Sequence, residues 1–295
     1  MAAVVRAAST ATAELKKKSL VPYLLLAPGL LWLALFFIAP IISLIGTATK
    51  TPGMGIGEYV QTYRWANYWD ALVGSKAQFG RSFLFAFIAT LLALAIAYPL
   101  AYGIAFKSGK WKNVLLVLVV APFFTSFILR TIAWKQILGT EGPLFNFLLN
   151  IHVVQPTTHL TATPFAVISG LAYNFLPFMT LPLYASLERI DPRVLEASGD
   201  LYSNAFTTFR KVTVPLSMPG VVAGTLLTFI PAAGDYVNAE ILGNPGTTMI
   251  GNVINAQFLN TLNYPLAASL SFILMITISI LVMLYIRKAG TEELV

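Results

Sequence analysis

The chain contains no cysteine, and its only histidines are His152 and His159. The first absence excludes disulfides, thiol nucleophiles and cysteine-based metal sites, and two histidines in one apparent loop argue against a histidine metal cluster. Charge is scarce as well: Asp, Glu, Lys and Arg make up 11% of the 295 residues. No G-x-x-x-x-G-K-[ST] phosphate loop exists. Gly109-Lys110 is followed by Trp111 and lacks the upstream glycine, so the chain encodes no nucleotide cradle. H-E-x-x-H, an EF-hand loop and a nucleophile elbow are also missing.

What is abundant is apolar surface. Hydrophobic residues make up 57% of the chain, and the mean hydropathy is +0.75. A soluble core of this size does not need so much, so the sequence reads as an all-α, polytopic membrane protein. A span takes about 20 residues to cross the hydrocarbon layer. Six fit, at about 20–47, 79–106, 113–138, 164–187, 214–242 and 265–286. The first is too long in its apolar core for a secretory signal. Residues 1–19 and 289–295 read as tails, and 20–288 as one transmembrane unit. Within it, Pro177 and Pro182 are expected to kink the fourth span.

The net charge of +7 could suggest nucleic acid, but its distribution does not. Thirteen Lys and Arg fall in the tails and in the connections on their side of the membrane. Only Lys50, Arg64, Lys76 and Arg81 fall on the other side. The positive-inside rule therefore places both termini in the cytoplasm, together with the 188–213 connection. Membrane lipid is the expected surroundings, and no nucleic acid is expected.

The interval from Glu188 to Gly220 is the most polar long stretch in the second half of the chain. Asp191 suits an N-cap and Pro192 a first helical residue. The helix they open would present Val194, Leu195 and Ala197 as its apolar side. Ser203 is a candidate cap for a second short helix carrying Phe206 and Phe209, and Pro215 marks the join to the fifth span. Exposed Phe and Leu on such a helix suggest docking into a groove of another protein. Lying flat on the membrane is the alternative.

Ionisable groups inside a bilayer are costly unless they face a cavity or a partner. The spans hold Arg130, Asp235 and Glu240, with Lys135 near the exit of the third. An intramembrane enzyme, the rival reading, would need a tighter cluster of acid, base and nucleophile; these residues suit a pathway better. Arg130 could instead pair with Asp235 or Glu240, or snorkel to the interface. The two acids are five positions apart, about 140° on an ideal helix, so an unbroken helix would not put them on one face. An acid facing the pathway would attract a cation, with Tyr236, Tyr173 or Trp134 adding cation–π contacts. Ordinary packing is the alternative for each aromatic. Gly220 and Gly224 form a G-x-x-x-G, read as close helix packing rather than a dimer seam.

Two sets of residues then carry a resemblance. Glu196-Ala197-Ser198-Gly199-Asp200-Leu201, with Phe209, Val212 and Pro215 following, resembles the EAA loop of ABC importer permeases. Ser198 stands where that family usually has a second alanine. Tyr202 stands where it usually has a glycine that turns the chain without a Cβ. A narrower resemblance to spermidine/putrescine importer permeases covers roughly residues 20–288. It is carried by Arg130-Thr131 and Ala133-Trp134, by Tyr173-Asn174-Phe175-Leu176-Pro177, and by Gly234-Asp235-Tyr236-Val237 with Glu240.

The resemblance implies a type I ABC importer permease, a transport subunit rather than an enzyme, working in the cytoplasmic membrane. Asp191, Glu196, Ala197, Ser198, Gly199, Asp200, Leu201, Phe206, Phe209 and Pro215 would couple it to an ATPase. Arg130, Trp134, Tyr173, Asn174, Asp235, Tyr236 and Glu240 are the candidates for the substrate path. The implied partners are a homologous second permease in a heterodimer, two ATPase subunits and an extracytoplasmic solute-binding protein. No cofactor would bind this chain; ATP and Mg would sit on the ATPase. Another small solute is the competing substrate reading.

Overall fold

A computed structural model describes residues 21–289 apart from Met54 and Ile56; the tails expected at 1–19 and beyond 289 lie outside the described residues. Helix α1 (Val21–Leu33) runs through a π-turn at Ala34–Ile38 into α2 (Ala39–Ala48). A two-stranded antiparallel hairpin follows, β1 (Lys50–Pro52) and β2 (Tyr59–Gln61), with Thr51 opposite Val60. Then come α3 (Ala66–Gly74), the long α4 (Lys76–Phe106), α5 (Lys112–Val120), α6 (Phe127–Leu138) and α7 (Pro143–Asn150). The second half holds α8 (Pro164–Glu188), α9 (Pro192–Asp200), α10 (Ala205–Thr208), α11 (Val214–Leu216) and α12 (Met218–Gly234). It ends with α13 (Val237–Leu242), α14 (Ile250–Leu259) and α15 (Tyr264–Ala289).

Among the described residues, four single helices are long and apolar enough to span a membrane: Leu24–Ala48, Lys76–Phe106, Pro164–Glu188 and Tyr264–Lys288. Two bent pairs bring the possible total to six. Gly109–Phe124 meets Phe127–Asn150 at 100°, and Ala205–Leu216 meets Met218–Gly234 at 62°. Two expected spans are therefore not continuous helices. The 113–138 stretch breaks after a 3-10 turn at Ala121–Phe124, where Thr125 is extended. The 214–242 stretch breaks twice, at Ser217 and at Asp235–Tyr236. Proline does not by itself decide this, because α8 passes through Pro177 and Pro182 as one helix.

The centre of the fold is α4, α8 and α12. On α4 the residues Ala86, Ala89, Ala93, Ala97 and Ala101 are fully buried and recur every three or four positions, on one helix face. Small side chains let backbones approach closely where no hydrophobic effect drives helices together. Large ones point the other way: Leu84, Phe87, Ile88 and Leu91 on the same helix are exposed, as are Leu24 to Leu26 and Trp32 to Ile38 on α1 and the π-turn that follows it. Along its middle, α4 thus turns its alanines to the bundle and several large side chains outward.

Gly220 and Gly224 show the same economy on α12. A Cβ on Gly220 would lie 2.6 Å from Ser186 Cβ and 2.7 Å from the Pro182 carbonyl oxygen, and one on Gly224 would lie 2.8 Å from Met179 Sδ. Both glycines seat α12 on α8 of the same chain, so the motif is spent on internal packing.

Candidate functional site

The helix α8 serves as a depth gauge. At its last residue, Glu188, the carboxylate pairs with Lys112 at the start of α5. Going back along α8, Phe178 meets Phe123, Phe175 meets Phe127, Asn174 meets Thr131, and Ser169 meets Trp134. The broken α5–α6 pair therefore follows α8 over most of its length. Asn174 and Phe175 lie about 20 Å from the Glu188 end at 1.5 Å per residue, near the middle of the helix.

At that depth a buried ladder of polar side chains crosses three helices. The Asn174 amide donates to Thr131 Oγ1 on α6 at 3.0 Å and to Asn238 Oδ1 on α13 at 2.9 Å. In turn Asn238 donates to Asp235 Oδ1 twice, from its backbone N–H at 2.8 Å and from its side-chain amide at 3.2 Å. The carboxylate thus caps the helix that starts where α12 breaks, which is the physical reason for the break: an anion there satisfies the free N–H of the new first turn. Asn174 and Asp235 are 1% and 8% exposed. The Asn174 carbonyl oxygen is buried without a hydrogen-bond partner. Beside the ladder, Trp134 and Tyr173 stack face to face with centroids 5.1 Å apart, and the Trp134 indole N–H donates to Ser169 Oγ at 3.2 Å.

The other path candidates separate from this group. Arg130 is 9% exposed, and its Nε has no hydrogen-bond partner. Among the described residues the only ion pairs are Arg64–Asp70 and Lys112–Glu188, so the pairing of Arg130 with Asp235 or Glu240 is not made. The guanidinium instead covers the rings of Phe123 at 4.7 Å and Phe127 at 5.6 Å, within reach of a cation–π attraction. Glu240 is exposed, and its carboxylate accepts from the Asn252 amide at 2.9 Å. The same amide also donates to the Tyr236 carbonyl. Tyr236 itself is exposed. The break at Asp235 means that Asp235 and Glu240 do not sit on one helix, so helical phase does not relate them. Asn238 and Ser169 were not singled out from sequence, and Thr131 was named only in the family resemblance and not as a path candidate. The signal available for Asn238 was its place three residues after an acid that follows Gly234.

The polar connection forms a second site. Asp191 Oδ1 accepts from the Arg193 N–H at 2.9 Å, and Pro192 opens α9. Of its expected apolar side, Val194 and Ala197 are exposed while Leu195 packs against the core. Glu196, Gly199 and Asp200 face outward, and a Cβ at Gly199 would meet nothing within 4 Å.

Ser198 is buried, and its hydroxyl meets Thr208 Oγ1 at 2.8 Å; Thr208 in turn donates to Ser203 Oγ at 3.2 Å. A serine at this position therefore ties α9 to α10. Tyr202 takes φ +57°, the left-handed conformation a glycine would adopt without strain, and its side chain is 100% exposed. Holding a non-glycine residue there costs on the order of 1 kcal/mol.

The cap of α10 is Asn204, whose side chain accepts from the Thr207 N–H at 2.8 Å, and not Ser203 as expected. Leu201 and Phe206 are 82% and 71% exposed, but Phe209 is turned inward. Its ring meets those of Tyr98 and Tyr102 edge-on. A shallow cleft of about 670 Å³ runs along Val194, Leu201, Tyr202, Thr207 and Lys211. Pro215 is exposed two residues before the bend at Ser217.

No protein-family model matches the chain. Among curated proteins, the spermidine/putrescine transport system permease PotB of Salmonella typhimurium is 38% identical over 231 residues, 78% of this chain and 80% of the relative. PotB of Escherichia coli K12 is 37% identical over 78% of this chain and 83% of its own length. The chain belongs to the PotB family of ABC transporter permeases. The inner membrane ABC transporter permease YdcU of E. coli is 30% identical over 80% of this chain and 79% of its own. Among solved structures, a chain of a bacterial ABC transporter that imports alginate matches with a TM-score of 0.67 at 18% identity, covering 92% of this chain and 96% of that one. One from the MetNI methionine transporter matches at 0.50 and 17%, covering 76% and 95%. The permease is thus an integral, multi-pass transport subunit with an ABC importer permease fold.

Proposed function

We propose that this permease carries polyamines, spermidine and putrescine, inward across the cytoplasmic membrane in an ATP-driven importer. The observation that carries this is the 38% identity to a spermidine/putrescine permease over most of both chains. The intramembrane polar groups supply chemistry that suits a polycation. Asp235 is a carboxylate with no cationic partner among the described residues, and the stacked Trp134 and Tyr173 present aromatic faces nearby. Arg130 adds a fixed positive charge at the same depth, which disfavours a cation resting there.

Both termini and the 188–213 connection face the cytoplasm in this reading, supported by the thirteen-to-four distribution of basic residues. The connection, with Leu201, Tyr202 and Phe206 standing clear of the chain, receives an ATPase subunit. A homologous second permease completes the path as a heterodimer, two ATPase subunits hold ATP and Mg, and an extracytoplasmic binding protein delivers the solute. A periplasmic protein is bound in the similar alginate transporter. ATP binding closes the ATPase pair and draws the connections together, so that the two permeases rock between outward-open and inward-open states.

The test is uptake in cells carrying the complete transporter, with radiolabelled spermidine competed by putrescine and by neutral and anionic solutes. Competition by polyamines alone supports the assignment. Competition by a neutral or anionic solute, with no effect of putrescine, overturns it.

A further inference from the structure

We infer that Tyr98 and Tyr102, on the long helix α4, are positioning residues through which movement of the 188–213 connection enters the membrane bundle. This rests on the reading of that connection as the ATPase-docking element. Neither tyrosine touches the exposed docking residues, and neither belongs to the polar ladder.

The geometry runs in three steps. The hydroxyls of Ser198, Thr208 and Ser203 tie α9 to α10 at 2.8 and 3.2 Å, so the two short helices move as one piece. Phe209 follows Thr208 directly. Its ring meets Tyr98 at 5.6 Å and 85°, and Tyr102 at 5.9 Å and 78°, so it is gripped by two rings one helical turn apart. The Tyr98 hydroxyl then meets Ser217 Oγ at 2.8 Å, and Ser217 is fully buried at the 62° bend between α11 and α12. One tyrosine therefore holds both the ring at the end of the connection and the hinge that leads into α12. The next residues along α4 toward its centre, Ala97 and Ala93, are fully buried in the α4–α8–α12 core. A displacement of α9 and α10 cannot leave Phe209 behind without opening this aromatic contact. It must carry α4 and the bend with it.

A merely structural role would lower uptake and ATP hydrolysis together, through lost assembly. A transmitting role changes the ATP hydrolysed per solute imported. The experiment uses the complete transporter in proteoliposomes, with both quantities measured on the same preparation. Phe209→Leu and Tyr102→Leu keep apolar volume but remove the ring. Each is expected to raise the ATP-to-solute ratio about tenfold, while Tyr102→Phe keeps the wild-type ratio. An unchanged ratio in both leucine variants overturns the inference, whether the two activities persist or fall together.

The chain has no cysteine, so introduced thiols are unique within this subunit, and a second arm uses them with the other subunits made cysteine-free. Phe209→Cys with Tyr102→Cys is expected to be uncoupled, and joining the two thiols with a short bismaleimide is expected to restore the ratio. A joined pair that stays uncoupled also overturns the inference. Wild-type liposomes that hydrolyse ATP without importing spermidine would instead defeat the polyamine-importer reading, which keeps the two failures apart.

Discussion

Asn174 and Asn238 are 64 positions apart in the chain, and the amide of the first donates to the side-chain oxygen of the second at 2.9 Å. That bond joins α8 to the short helix after the break in α12. It also completes the line from Thr131 to the Asp235 carboxylate. Removing the Asn238 side chain leaves one buried N–H of Asn174 without its acceptor, at about 1–3 kcal/mol, and takes the side-chain donor from the Asp235 carboxylate while the backbone N–H stays. Asn238→Ala is therefore expected to lower the thermal midpoint of the detergent-solubilised permease by several degrees. An unchanged midpoint would mean that the ladder does not hold α8 and α13 together.

Asp235→Asn separates charge from geometry. The asparagine keeps an acceptor for the Asn238 N–H, so the cap and the fold are expected to survive with little change in midpoint. Spermidine uptake is expected to fall about tenfold or more, the effect of losing roughly 1.4 kcal/mol of attraction for a cation. Wild-type uptake in this variant would leave Asp235 with only its capping role.

Arg130 is buried, uncompensated by a carboxylate among the described residues, and packed on two phenylalanines. A buried charge without a partner is weak support for a fold, and an apolar side chain of similar length can replace it at little cost. Arg130→Met is accordingly expected to show a thermal midpoint equal to or above the wild type. A drop of several degrees would mean that the guanidinium, through its contacts with Phe123 and Phe127, holds the fold.

Much of this was legible in the sequence. Composition and run length located the apolar segments, and the charge count together with the cap signals at Asp191 and Pro192 marked out the polar connection. The breaks were not legible. Pro122 precedes one break, yet Pro177 and Pro182 sit inside an unbroken helix, so proline alone does not say where a span stops. The break at Asp235 depends on its carboxylate finding the Asn238 N–H, a contact between side chain and backbone that hydropathy does not register. Ser203 and Asn204 are both good caps by residue type. The left-handed Tyr202 sets the phase of the turn, and Asn204 then falls at the cap position. Phe206 and Phe209 look alike as letters, but only the structure shows one facing out and the other held by α4.

The glycines make opposite predictions at two sites. Gly220→Val places carbon against Ser186 and the Pro182 carbonyl and is expected to cost more than about 2 kcal/mol, read as loss of folded yield and a lower midpoint. Gly199→Leu meets open space within the chain. It is expected to leave the midpoint at or above wild type while reducing ATP-driven uptake, because the added side chain stands on the surface proposed to receive the ATPase. Equal losses of stability in both variants would contradict this division.

Tyr202 offers a further contrast. Tyr202→Gly adopts φ +57° freely, whereas Tyr202→Val puts a β-branched residue into a conformation it strongly disfavours. The glycine variant is expected to fold normally and the valine variant to lose protease resistance across the 188–213 connection. Equal resistance in both would mean that the turn is not held in the left-handed conformation.

The most direct measurement is ATP-driven flux of radiolabelled spermidine into proteoliposomes that hold this permease with its second permease and ATPase subunits, the binding protein supplied outside. Accumulation that requires ATP and is competed by putrescine is the expected result. Spermidine entry that is independent of ATP, or no entry while ATP-driven import of a non-cationic solute proceeds, would contradict the assignment.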